Sequence, residues 1–335
     1  MFLDKQLSAT SPLMAPTYEN FASNLRDTVE AARSSGARVL ISTVASNLKD
    51  CGPFASMHHA GLSQDALASW SQLVQQGANL ENARSYADAL QEYRSAAKID
   101  DQFAELEFRI ARVLGKMGAN QEAKEHYLRA RDLDTLRFRA DSKINEINRS
   151  TASSISGAEL VDAEAILSQE SPDGIIGNDL LYDHVHLTPR GNYLLARAAF
   201  LKIASQLPAE SGYALQADVP SQAECERLLA LTNHDRTRMA TEMLQRLQRP
   251  PFTNQLDHAD QLLRLMIDAD ATHESPDETV AQYQWALQQS PDDRILHYNF
   301  GLFLFDYNSE ASTQELRMSR PWDGFPVFAP NGTLL

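Results

Sequence analysis

Between residues 64 and 133, apolar and small side chains recur at three- and four-residue spacing, the period of a helix that buries one face. The pattern predicts helices at about 64–83, 86–99, 103–117 and 120–133. No proline falls between Pro53 and Pro172, and the interval is rich in Ala, Leu, Glu, Gln and Arg, which lose least on entering a helix. A further amphipathic helix at about 136–149 is expected to cap this stack. On the N-terminal side, TYENFASNLRDTVEAARSSGARVLISTVASNL reads as an amphipathic helix at about 17–35, a stop at Gly36 and the apolar run Val39 to Val44. That run is short enough for a buried parallel strand. On the other side, ISGAELVDAEAIL predicts a strand at about 158–162. HLTPRGNYLLARAAFLKIASQL then predicts a helix capped by Thr188 with Pro189 at its first position.

The helical block repeats on itself. A shift of 34 places Leu80 on Leu114, Ala89 on Ala123, Tyr93 on Tyr127, Ala96 on Ala130 and Asp100 on Asp134. Small residues let two helices approach, and an aromatic fills the groove between them. This order resembles the tetratricopeptide repeat, a helix-turn-helix unit of 34 residues. The phase returns with Tyr283, Ala286, Pro291 and Gly301, where Ser275, Pro276 and Glu278 form a capping box. Thr279 stands there where alanine is expected. After Asn308 neither helix nor strand period continues, so 308–335 is expected to be an irregular tail and the second array to break off after one first helix.

Acidic residues outnumber basic ones by 45 to 30, a formal charge of −15, and no Lys/Arg run appears, so nucleic acid is excluded as an expected partner. A basic or neutral protein or peptide is the expected partner of the repeats, on the concave face of residues 64–133. The two cysteines, Cys51 and Cys225, lie far apart without a CxxC pair, which points away from a disulfide framework and a thiolate metal site. No apolar run reaches the ~18 residues of a membrane span, and the start MFLDKQLSATSP lacks a signal-peptide core. A cytoplasmic chain is the expectation, with no cofactor and no metal.

Candidate chemistry concentrates in LYDHVHLTPRGNYLLAR. Asp183 and His186 lie three residues apart in a turn that runs into a helix. A carboxylate at that spacing can accept the Nδ1 proton of an imidazole and leave Nε2 as a general base. The stretch resembles the last block of the SGNH (GDSL-type) esterases, Asp-x-x-His-Leu-x-x-x-Gly before a final helix. VLISTVASNLKDCGPFAS is similar to a strand and loop of bacterial proteins that join this fold to tetratricopeptide repeats. The resemblance covers about 17–60 and 155–206. It implies an ester hydrolase in which Asp183 orients and His186 activates. It also implies a nucleophilic serine in a Gly-Asp-Ser block and oxyanion donors from a later Gly and Asn, all ahead of the helix at 17–35.

This chain has no GDS and no GxSxG there, so the expectation is a domain entered midway, without its first strands or nucleophile. The organisation expected is α/β plus all-α. A partial SGNH-like α/β/α layer at 1–60 and 151–207 carries an inserted repeat block at 61–150, and a helical segment with a repeat follows at 221–307. Two functions stay open: an interaction scaffold with an incomplete, inactive hydrolase-like module, and an esterase whose nucleophile lies in a missing N-terminal part or a partner.

Each candidate has a plainer reading beside it. Asp183 and His186 also make sense as a turn held by a side-chain hydrogen bond. His184 and His186 form an HxH pair, with Asp183 as a third ligand for zinc, but no second ligand cluster completes it. Asn47 is a substitute oxyanion donor only if it departs from the family's position. His58 and His59 read as a solvated loop pair, Tyr93 and Tyr127 as packing residues. Cys51 reads as a buried or loop thiol, lacking an orienting histidine nearby.

Overall fold

A computed structural model describes residues 3–207, 219–270, 274–305 and 307–319. Fourteen α-helices and one two-stranded parallel sheet are found among the described residues, so the chain is predominantly helical. The chain divides into two compact units, Met1–Ala217 with Gln245–Leu263, and Asp218–Leu244 with Arg264–Leu335.

In the first unit, α1 (Met14–Ser34) leads to β1 (Val39–Ser42), which pairs in parallel with β2 (Ala158–Val161), Val39 opposite Ala158 and Ile41 opposite Leu160. These four side chains share one sheet face by the alternation of a strand. They pack there with Val29 of α1 and with Ala152 and Ile155, of which Ala152 lies in α6 (Ser142–Ser154). On the Glu159 side runs α8 (Pro189–Gln206), whose Lys202 Nζ lies 3.4 Å from that carboxylate. The α/β part among the described residues is this one strand pair with helices along it. A wider sheet layer is not shown.

Between the two strands the chain forms α2 (Gln64–Asn82), α3 (Tyr86–Ala97), α4 (Ala104–Lys116) and α5 (Asn120–Leu133), two successive helix-turn-helix pairs. Their common core holds Trp70, Ala89, Tyr93, Ala96, Phe108, Ala111, Leu114, Ala123, Tyr127 and Ala130. Of the residues superposed by the 34-residue shift, all are buried but Leu80, which packs partly buried against this core. Asp100 and Asp134, also equivalent, are both buried, and each turns its helix end by accepting from a backbone N–H two residues on, Gln102 at 2.9 Å and Leu136 at 3.1 Å. Their remaining capacity anchors one passing loop: Asp134 accepts from the N–H groups of Phe54 and Ala55, and Asp100 from that of His59.

The helix expected at 136–149 begins instead at Ser142 and packs mainly on α1 and the sheet, meeting the end of the repeat stack through Ser142, which accepts from Arg131 and donates its N–H to Asp132. Residues 135–140 are held out of helical form by buried charge. Arg139 donates to the carbonyls of Asn47 and Cys51 at 3.0 and 2.8 Å and pairs with Asp134 at 3.1 Å, while Asp141 caps the helix through Ile144 N–H. The face of α5 is covered by α7 (Ala163–Glu170) and the segment after it: Lys124 donates to Ser168 of α7 at 2.6 Å, and Ile175 joins the repeat core.

In the second unit, α9 (Gln222–Leu228) precedes α10 (Asn233–Leu247) and α11 (His258–Asp270), in both of which the boundary between units falls. Then come α12 (Pro276–Gln289), α13 (Arg294–Leu304) and α14 (Ser309–Met318). The capping box at Ser275 and Glu278 is present with Pro276 at the first turn. Helix α14 corrects the expected irregular tail: Asn308 caps it by accepting from Ala311 N–H at 3.1 Å, and Ser312 and Leu316 are buried against α13. The rest of that tail, 320–335, lies outside the described residues.

Candidate functional site

The turn carrying Asp183 and His186 is a closed loop of backbone hydrogen bonds. Leu181 and Leu187 form an antiparallel bridge, Tyr182 N–H donates to the His186 carbonyl at 2.7 Å, and Thr188 N–H to that of Leu180 at 2.9 Å. Thr188 then caps α8 by accepting from Gly191 N–H at 3.2 Å. At Gly191 the helix approaches the turn so closely that a Cβ would sit 2.4 Å from the Leu180 carbonyl oxygen, which explains the glycine five residues after His186.

Asp183 is fully buried. Its Oδ1 accepts from the N–H groups of Val185 and His186, each at 2.9 Å, and its Oδ2 lies 2.8 Å from His186 Nδ1. Burial disfavours the charged carboxylate, but the imidazole of His184 and the two backbone donors outweigh it and hold Asp183 well below the usual carboxylate range. With an ionised Asp183 at Nδ1, His186 carries its proton there and its lone pair on Nε2. That nitrogen accepts from Arg246 Nη1 at 3.0 Å. The expected orienting pair is thus brought together, and a cation occupies the hydrogen-bonding position outside it.

Asp183, His184 and His186 offer ligand atoms within 4.8 Å of one another. The hydrogen bonds assign those atoms otherwise. A metal on Nδ1 of His186 would displace the proton given to Asp183 while Arg246 still claims the lone pair on Nε2, which leaves an imidazolate. His184 is packed edge-on against Phe54 and Phe252, with ring centroids 5.2 and 5.5 Å away. Its Nδ1 lies 3.4 Å from Asp183 Oδ1, outside good hydrogen-bond length.

The remaining candidates are engaged structurally. Asn47 is buried, donates from Nδ2 to Asn178 at 2.9 Å and accepts at Oδ1 from Asp50 N–H. Its backbone N–H reaches the His184 carbonyl at 3.1 Å, so it supports the turn without aiming its amide at His186. Cys51 is buried and burial pushes its thiol up to about 12, a protonated side chain unsuited to nucleophilic attack. The solvated histidine pair needs correction at His58. Its Nδ1 lies 2.8 Å from Asp100, and its ring packs on Trp70 and Phe103 at 4.6 and 4.5 Å, while His59 is exposed.

A second feature of the first unit is a groove of about 620 Å³ beside the repeat helices. Phe108, Arg112 and Lys116 of α4 and Tyr127 of α5 line it, opposite Lys49 and Asp50 and beside Asp257 and Gln261. Asp257 accepts from Gly52 N–H at 3.1 Å. Arg246 and the groove's facing loops were beyond sequence reasoning because their partners lie tens of residues away in chain, where no periodicity links them. Compared with models of protein families, with curated proteins and with solved structures, the chain matches none.

Proposed function

We propose that this chain is a protein-interaction scaffold of the tetratricopeptide type, with the groove along α4 and α5 as its binding surface. The observation that carries the reading is the groove itself, of a size typical of ligand sites and lined by helices whose buried residues follow the 34-residue register. Gly115 tests it. It lines the groove, and a Cβ there meets nothing within 4 Å, so Gly115→Trp fills the groove without disturbing α4. A peptide selected from a random display library on the wild-type chain should lose its binding to this variant. Undiminished affinity would place the binding surface elsewhere.

A second reading is favoured by the 2.8 Å contact between Asp183 and His186: this is the proton-transfer half of an SGNH-type site for acyl esters, in a partial α/β/α module. In such a reaction the imidazole takes the proton of a hydroxyl as it attacks the ester carbonyl, then returns it to the leaving alcohol. Here Arg246 holds the nitrogen that would do so. Turnover of p-nitrophenyl acetate should be no faster than in His186→Ala; a rate clearly above that control would reveal a nucleophile within this chain.

A further inference from the structure

The two-stranded sheet has an open edge. The N–H groups of Val39 and Thr43 donate to the carbonyls of Gly157 and Val161, so the odd-numbered residues of this stretch turn their backbone groups toward β2. By the alternation of a strand, Arg38, Leu40, Ser42 and Val44 turn theirs the other way. Val44 is already served: its N–H donates to Asn145 Oδ1 at 2.8 Å, and its carbonyl accepts from Asn145 Nδ2 at 2.9 Å. One carboxamide of α6 thus sits where the peptide group of a neighbouring strand would. At Arg38, Leu40 and Ser42 the outward N–H and C=O groups have no hydrogen-bond partner among the described residues. Arg38 and Ser42 are exposed, and Leu40 is half-buried. The open stretch is bounded by the Asn145 carboxamide at one end and by the turn at Gly36, with a φ of 87°, at the other.

Helix α1 stands beside this edge. Helix α6 packs on both strands, whereas α1 packs on α6 and on β1, which places it on the side of β1 away from β2. Leu25 of α1 and Val39 of β1 are only partly buried in their shared cluster. A single strand laid along β1 would pair with the free backbone groups and carry alternate side chains under α1. A second copy of the chain, set against the same edge by a two-fold axis, would bring its own α1 into that space. We propose that the open edge of β1 takes one extended segment of a partner polypeptide, apolar at the alternate positions that face Leu25 and Val39. In this mode main-chain hydrogen bonds supply the attraction and the alternate side chains the selectivity. Two strands alone are marginal and a bare edge invites unwanted pairing, so a third strand stabilises the sheet and closes it. The surface is separate from the groove along α4 and α5, which none of these residues lines.

The test uses the full chain and a fluorescein-labelled peptide of alternating valine and threonine, flanked by one lysine and one glutamate, followed by fluorescence anisotropy. Ser42 N–H points away from β2, so Ser42→Pro removes an outward donor and blocks the edge while keeping the pairing with β2. It should weaken binding by about tenfold or more, whereas Ser42→Ala, which keeps the N–H, should retain the affinity. The same peptide with every amide N-methylated should not bind the unmodified chain, a readout that does not depend on how the proline variant folds. Gly115→Trp, in the groove, should leave the affinity unchanged. No binding of the parent peptide, or equal binding of its N-methylated form, would overturn the proposal. So would a loss shared by Ser42→Ala, which would assign the contact to the side chain, or a loss confined to Gly115→Trp, which would assign the peptide to the groove. Sedimentation completes the test: a dimer of the unmodified chain that Ser42→Pro dissolves would give the edge to a second copy and overturn the single-strand occupant.

Discussion

The repeat helices of the first unit and the closing helices of the second solve one packing problem with different side chains. In the first, the fully buried Tyr93 of α3 packs against Gly77 of α2, so close that a Cβ there would be 2.5 Å from the ring, and its hydroxyl donates to Glu81. In the second, the notch is Gly301 of α13 and the knob is Leu316 of α14, whose Cγ would lie 2.7 Å from an added Cβ. Between those helices Ser312 donates to the Gly301 carbonyl at 2.7 Å, where an alanine would make no such bond. Tyr283 stacks on Phe300 with centroids 5.0 Å apart and gives its hydroxyl to Asp235. The difference teaches that the helix pair needs a gap filled by a neighbour, not a particular residue filling it. Close packing sets the volume, and several side chains supply it.

The comparison is broken most severely at Tyr93. Tyr93→Ala empties a large, fully buried site and should cost about 4 kcal/mol, the range for aromatic truncation in a core. Native-state hydrogen exchange is the measurement, because it assigns the loss to a place: amides of α2 to α5 should lose protection most. If their protection is unchanged, Tyr93 is not the knob that holds the pair. The next largest effect is expected at Leu316, also fully buried, where Leu316→Ala should cost about 3 kcal/mol and appear in amides of α13 and α14. Protection of α13 that survives this change would mean α14 is an adherent tail rather than half of a helix pair.

The same comparison explains what could be read from the chain. Helices 64–133 were legible because Ala89, Tyr93 and Ala96 return unchanged in kind at Ala123, Tyr127 and Ala130, and tertiary packing honours the pattern. The Asp183–His186 pair was legible because its geometry is local, three residues within one turn. Helix α14 was missed because its signals are an Asn308 cap, a serine in place of alanine and a leucine in place of tyrosine, none of which repeats a spacing. The start of α6 was missed because a helix-compatible stretch is overridden by Arg139, whose buried Nη1 donates to carbonyls about ninety residues upstream. Arg246 belongs to this class too, since its relation to His186 exists only after folding.

The smallest expected effect concerns pH and is centred on one ring of the second group. His297 of α13 has acceptors at both nitrogens: Glu315 of α14 lies 2.5 Å from Nδ1, and the Pro291 carbonyl 2.8 Å from Nε2. Only the imidazolium can donate to both at once. Burial works against that charge, but Glu315, the Pro291 carbonyl and the nearby Asp293 carboxylate outweigh it and raise the ring's proton affinity above the ordinary histidine value. The folded state therefore binds the proton more tightly than the unfolded chain. Its contribution to stability is complete below the unfolded pKa, near 6.5, and is lost as pH rises through the higher folded value. Protection of α13 and α14 amides, corrected for intrinsic exchange, should fall as pH rises above about 6.5. His297→Gln should flatten that dependence and cost about 1.5 kcal/mol at the acid end, as expected for losing a charge-assisted pair. A wild-type profile as flat as that of the variant would show that His297 stays neutral, with Nδ1 donating to the Glu315 carboxylate and Nε2 unprotonated beside the Pro291 carbonyl.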